Sequence, residues 1–136
     1  MKRNILDLTK AALEAWLVAN GLKKYALNQI LQWLYQKRVS SFEEMTNIAK
    51  ETRQRLSEDF EIGQLEVDAR HHSSQDGSTK YLFRLGDGQS IESVLMPQKG
   101  RTTLCISSQV GCPLACDFCM TGVVGLKRNM TAGEIV

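Results

Sequence analysis

Three cysteines fall within eight positions in Cys112-Pro113-Leu114-Ala115-Cys116-Asp117-Phe118-Cys119, a C-x3-C-x2-C run. Cysteine thiolates hold iron–sulfur clusters, and a cluster of four irons bound by three of them leaves one iron without a protein ligand. That iron is open to a small molecule with nitrogen and oxygen donors, and the amino and carboxylate groups of S-adenosylmethionine suit it. An electron passed through a [4Fe-4S] cluster splits the sulfonium bond and releases a 5′-deoxyadenosyl radical, chemistry that the cofactor performs and the protein positions. Phe118, beside the last of the three, would shield the cluster from water. Structural zinc is the alternative, with Cys105 as fourth ligand of a closed tetrahedral site. Zinc sites more often pair their cysteines as two C-x2-C knuckles than in a single run of this kind. Cysteine is also an ordinary small core residue, but core packing gives no reason for three to recur in one loop.

All four cysteines of the 136-residue chain lie between Cys105 and Cys119. A disulfide framework would spread them, and in a chain without a secretion signal clustered thiols read as metal ligands or redox groups. The start Met1-Lys2-Arg3-Asn4 is followed by Asp7 and Lys10. No apolar run approaches the roughly 18 residues that a membrane-spanning helix requires, so a cytoplasmic protein with no membrane partner is expected. The composition, 43% hydrophobic and 24% charged, is that of about one ordinary domain. Seventeen basic against fifteen acidic residues give a net charge of +2, which leaves a nucleic-acid partner undecided because RNA binding needs only a local basic face.

The elements that must position the cysteines begin with helices. Thr9 caps one that runs to Asn20, with Leu13, Trp16 and Leu17 on one face and Gly21 placed to end it. A second runs from about Tyr25 to Lys37, where Leu27, Ile30, Leu31, Leu34 and Tyr35 repeat at three and four. Ser41-Phe42-Glu43-Glu44 fits a capping box, and a further helix covers about Ile48 to Asp59. Trp16 and Trp33 read as core rather than as platforms for stacked bases. After Gly63 the period becomes alternating through Leu65, Val67 and Ala69. Tyr81–Leu85, Ser90–Met96 and Thr102–Ser107 are further strand candidates, broken at Gly86-Asp87-Gly88 and at Pro97 and Gly100. Gln109–Asn129 reads as a loop, after which Thr131 and Glu134 cap a new helix.

Beyond the cysteine run, the sequence resembles a known family. Ile91-Glu92-Ser93-Val94-Leu95-Met96-Pro97, Thr103-Leu104-Cys105-Ile106-Ser107-Ser108-Gln109-Val110-Gly111-Cys112, Thr121-Gly122 and Gly125-Leu126-Lys127-Arg128-Asn129 are similar to segments of the bacterial radical S-adenosylmethionine methyltransferases, which act on carbon-2 or carbon-8 of adenine in RNA. Asp76-Gly77-Ser78-Thr79-Lys80-Tyr81, Trp33-Leu34-Tyr35 and Ser41-Phe42-Glu43-Glu44-Met45-Thr46 extend the resemblance into the helices. It implies a [4Fe-4S] cluster on Cys112, Cys116 and Cys119, with S-adenosylmethionine as methyl and radical source. It implies 23S ribosomal RNA as substrate, with transfer RNA as a second, and carbon-2 favoured over carbon-8. An electron donor such as a flavodoxin or a ferredoxin is implied as partner.

The family's reaction uses two cysteines outside the cluster. One accepts a methyl group and, after hydrogen abstraction, joins the adenine through that carbon; the other attacks the linking sulfur and frees the methylated base as a disulfide forms. Cys105 matches the resolving cysteine of that pair, and Glu92 matches an active-site glutamate that would accept from the adenine amino group or move a proton. Lys127, Arg128 and Asn129 would meet phosphates or form a polar loop. Two departures stand out. With Cys105 and the three cluster cysteines assigned, no methyl-accepting cysteine remains among the four, and in the family it lies far downstream. Ala26 stands where many relatives carry arginine. The expected fold is α+β: an RNA-binding helical accessory domain over residues 1–62, a small antiparallel segment over 63–104, and over 105–136 the start of a truncated (β/α) barrel with its cluster loop. A chain so bounded is expected to be inactive alone, and a non-catalytic RNA- or protein-binding module is the contrasting reading.

Overall fold

The computed structural model describes residues 2–114 and 116–136. It divides into two compact units, one running to Gly63 and the other from Gln64 to Ile135.

The first unit is built on three helices. In α1 (Lys10–Ala19) the Thr9 hydroxyl accepts from the Ala12 amide at 3.2 Å, which satisfies an otherwise free donor at the helix start. Gly21, at φ +67°, turns the chain out of it, as the sequence predicts. α2 (Ala26–Leu31) continues into a turn of π-helix, Gln32–Lys37, so the predicted span from Tyr25 to Lys37 is one helical stretch of two geometries. It closes at Arg38, a left-handed non-glycine residue with φ 53°. The capping box is present on a single 3-10 turn, Phe42–Glu44, where Glu44 accepts from the Ser40 and Ser41 amides. α3 (Lys50–Asp59) starts two residues later than the pattern suggests.

Ile5, Leu13, Leu17, Ile30, Met45 and Leu56 are wholly buried and form the centre of this unit's core. Trp16 lies edge-on against Phe60 with centroids 5.1 Å apart, and its indole donates to Asp59 at 2.7 Å. Trp33 also packs on the core, donates to Asn47 and carries Lys37 over its ring at 3.5 Å. The two indoles are therefore packing elements, as read. The chain ends of the unit meet where β1 (Arg3–Asn4) runs parallel to β2 (Phe60–Glu61) and the Gly63 amide donates to Asn4 Oδ1 at 3.1 Å. A chain ending at Gly63 should melt cooperatively as a helical protein, followed by circular dichroism. Leu17→Ala should lower its stability by about 2–5 kcal/mol, because the methyl groups leave a cavity in a core that has no exposed edge at that position.

The second unit carries a four-stranded antiparallel sheet in the order β3 (Glu66–His72), β4 (Thr79–Arg84), β5 (Ser90–Gln98), β6 (Arg101–Cys105). The predicted strands are present with shifted ends: β4 covers Thr79–Arg84 rather than Tyr81–Leu85, β6 stops at Cys105 rather than Ser107, and β5 runs beyond Met96. β5 continues through Pro97, which pairs with Thr102, to a tight turn at Lys99-Gly100. Pro97 lies beyond the last β4 pair, Thr79 with Leu95, so on that side its missing amide leaves no ladder bond unmade. The predicted loop 109–129 is also more ordered than its composition suggests. It holds β7 (Gln109–Val110), one helical turn α4 (Met120–Val124) and β8 (Arg128–Asn129), which pairs antiparallel with β7. Valine and glycine are weak helix formers, so α4 has no local signal, and the β7–β8 contact joins residues about twenty apart. α5 (Ala132–Ile135) follows, capped by Thr131 and Glu134 as expected. Leu85, Ile91, Val110 and Met130 form a small buried core with Leu65 and Phe83 against it, so both ends of the cysteine loop are fastened to the sheet.

Candidate metal centre

The loop between β7 and β8 contains all three cysteines of the C-x3-C-x2-C run. Cys112, Cys116 and Cys119 are half-buried free thiols, and Cys105, at the end of β6, is an exposed one. The Cys119 amide donates to the Cys116 carbonyl at 3.0 Å, turning the chain between the last two thiols. Among the described residues no three Cys, His, Asp or Glu side chains are gathered as metal ligands. The fit to a cluster is therefore one of donor chemistry: three unpaired thiols in one loop match the protein share of a four-iron site that leaves one iron open. Phe118 is 93% exposed and covers none of them in this structure. Leu114, Met120 and Val123 are exposed beside it, so the loop presents an apolar surface.

The loop has a closed neck. Its backbone is joined by the Lys127 amide donating to the Val110 carbonyl at 2.9 Å and the Met130 amide to that of Ser108 at 3.0 Å. Gly111, at φ +78°, lies so close to Gly125 that a Cβ on it would stand 1.8 Å from the Gly125 carbonyl oxygen. Arg128 closes the neck from the side. Its Nε donates to Asp87 Oδ2 at 2.7 Å, in the turn between β4 and β5, and its two terminal nitrogens each donate to Glu134 of α5 at 2.8 Å. This fork is the strong, planar arrangement that arginine alone supplies. Arg128 thus has structural partners on both sides. Nothing local in the sequence joins Asp87 to Arg128 across 41 positions.

Hydrogen bonds from Arg128 hold the Glu134 and Asp87 carboxyls below their ordinary values of 4.5 and 3.8. Groups with folded values below the unfolded ones stabilise fully above the unfolded values and lose that contribution as pH falls through the folded ones. Hydrogen exchange at the Lys127 and Met130 amides, corrected for intrinsic rates, should therefore quicken as pH falls below about 4. In Arg128→Gln it should be quick already at neutral pH.

The sheet carries the other two predicted site residues. Val94 pairs with Cys105 and lies two positions after Glu92, so Glu92 and Cys105 belong to one face of the sheet. Glu92 is engaged by Lys80 on β4 at 3.0 Å, and its carbonyl accepts from the Ser107 hydroxyl at 2.6 Å. Sequence reasoning singled out Glu92 but not Lys80. The β4–β5 register, Lys80 opposite Val94 and Leu82 opposite Glu92, places the two on one face, and alternation within each strand alone does not give it.

Comparison with known proteins bears on what this arrangement is for. Residues 3–62 match the family model described as the ribosomal RNA large subunit methyltransferase N-terminal domain. Over 98% of its length the chain is 51% identical to the dual-specificity RNA methyltransferase RlmN of Geobacter sulfurreducens, and 47% to the probable one of Thermotoga neapolitana. It spans 37% and 39% of those relatives' own lengths. A crystal structure of a radical SAM methyltransferase from Sphaerobacter thermophilus superposes with a TM-score of 0.85 at 42% identity, over 98% of this chain and 39% of that one. The fold is thus a mixed helix-and-sheet arrangement shared with a radical SAM methyltransferase. The chain is similar, over about two fifths of their length, to dual-specificity RNA methyltransferases and to a radical SAM methyltransferase, and its residues 3–62 match the N-terminal domain model.

Proposed function

We propose that this chain is part of an enzyme that methylates adenine at carbon-2 in 23S ribosomal RNA, with transfer RNA as a second substrate. The observation that carries the reading is the set of three free thiols in one tethered loop of a chain so similar to dual-specificity RNA methyltransferases. Cys112, Cys116 and Cys119 would hold a [4Fe-4S] cluster, and S-adenosylmethionine would complete the open iron. When bound, the pair would supply the radical that activates a methyl group. A flavodoxin or ferredoxin would deliver the electron, in the cytoplasm.

The chain's own residues have separate tasks in this reading. Cys105, exposed at the end of β6, would act as the resolving thiol, attacking the sulfur that links protein to base. Glu92, on the same face, would meet the adenine amino group or carry a proton. Phe118, with the exposed apolar side chains around it, would cover the cluster once further chain packs there. The order β6, cysteine loop, α5 supports the start of a (β/α) barrel. A chain continued to the length of the relatives, reconstituted and given labelled S-adenosylmethionine, should convert adenine of 23S ribosomal RNA to 2-methyladenine, identified by mass spectrometry of the nucleosides. Methylation at carbon-8 would replace the regiochemistry, and unmodified RNA would overturn the reading.

A further inference from the structure

We infer that Arg128, with Asp87 and Glu134, is a clasp whose task is to hold the two ends of the cysteine loop together so that its thiols retain a cluster. The inference rests on the cluster reading proposed above and goes beyond it by assigning a positioning residue that binds neither metal nor substrate.

Loop closure is the physical problem. Cys112 and Cys119 are seven residues apart, and among the described residues of the loop between Val110 and Arg128 five belong to regular structure, α4. Ordering such a segment costs backbone entropy, and a metal site formed on a loose loop must overcome that cost with its own binding energy. The neck reduces it in advance. β7 and β8 contribute two residue pairs, Gln109 with Asn129 and Val110 with Arg128, which is short for a self-sustaining ladder. Arg128 extends that short pairing in two directions, to the β4–β5 turn through Asp87 and to α5 through both oxygens of Glu134. The β8 end of the loop is thereby joined to the sheet and to the next helix. The Gly111–Gly125 approach makes the neck close one residue inside the β7 end, where any side chain on Gly111 would collide with backbone.

Three variants of the 136-residue chain, loaded anaerobically with iron and sulfide, test this. Bound iron is measured after desalting, and its loss to a ferrous chelator is followed with time. Arg128→Gln should lose iron on the order of tenfold faster than the parent, the scale on which supporting residues outside a metal's ligand set act. Asp87→Asn takes the charge from one arm and leaves a neutral acceptor, a weaker partner for the guanidinium, at an exposed turn where unfolding is not a concern, and should quicken loss severalfold. Lys127→Gln makes the same charge change one position away, outside the clasp, and should behave as the parent. Equal chelation rates for Asp87→Asn, Lys127→Gln and the parent would overturn the clasp, whatever happens to the folding of Arg128→Gln. A parent chain that takes up no iron would instead overturn the cluster reading on which the clasp depends.

Discussion

The 136-residue chain, reduced and loaded with iron and sulfide, should leave adenine unlabelled when incubated with labelled S-adenosylmethionine and 23S ribosomal RNA. The reason is a count of groups. The reaction implied by the family needs three thiols for the cluster and two more, one to carry the methyl group and one to resolve the product. This chain has only Cys105, Cys112, Cys116 and Cys119. Binding of S-adenosylmethionine should be weak as well, because an open iron fixes only its amino-acid end and the adenosine must be held by other protein groups. The expected difference from a chain continued to the relatives' length is all or none, read by scintillation counting of the isolated nucleosides. Base-specific methylation by the 136 residues alone would show that the cysteine roles are wrongly assigned.

A second large effect is expected from single thiols. Replacing Cys116 with Ala should abolish stable cluster assembly, and Cys112→Ala and Cys119→Ala should do the same, because two thiolates cannot hold a four-iron core against chelation. Cys105→Ala should load iron like the parent, since Cys105 lies at the end of β6 and outside the loop that the neck closes. The absorbance near 400 nm that iron–sulfur charge transfer gives would read all four variants, with the helical signal in circular dichroism as the folding control. Loss of iron in Cys105→Ala would favour the four-cysteine set that zinc would use.

How much of this was legible in the sequence depends on how local each signal is. Thr9, Gly21, Ser41 and Glu44 act on backbone within a few residues of themselves, and each does in the structure what its position suggests. The strands β4 to β6 follow from alternation and turn residues, which are equally local. Pro97 misled because a strand end with a one-sided partner tolerates what a central strand does not. β7, β8 and α4 were illegible, since two-residue strands have no period and α4 consists of poor helix formers. At the candidate site the three thiols were visible as spacing alone. The clasp was not, because Asp87, Arg128 and Glu134 meet only through the folded sheet, and Arg128 in isolation looks like any basic residue free to meet a phosphate. The same holds for Lys80, whose pairing with Glu92 needs the β4–β5 register.

In the reading proposed here, the loop between β7 and β8 is a three-thiolate iron–sulfur site. Mössbauer spectroscopy of the chain reconstituted anaerobically with iron-57 and sulfide, together with chemical iron and sulfide analysis, tests it most directly. The expected result is about four irons and four sulfides per chain in a spectrum of valence-delocalised pairs, as a [4Fe-4S] cluster gives. A chain that instead holds one tightly bound zinc and takes up no iron would contradict it.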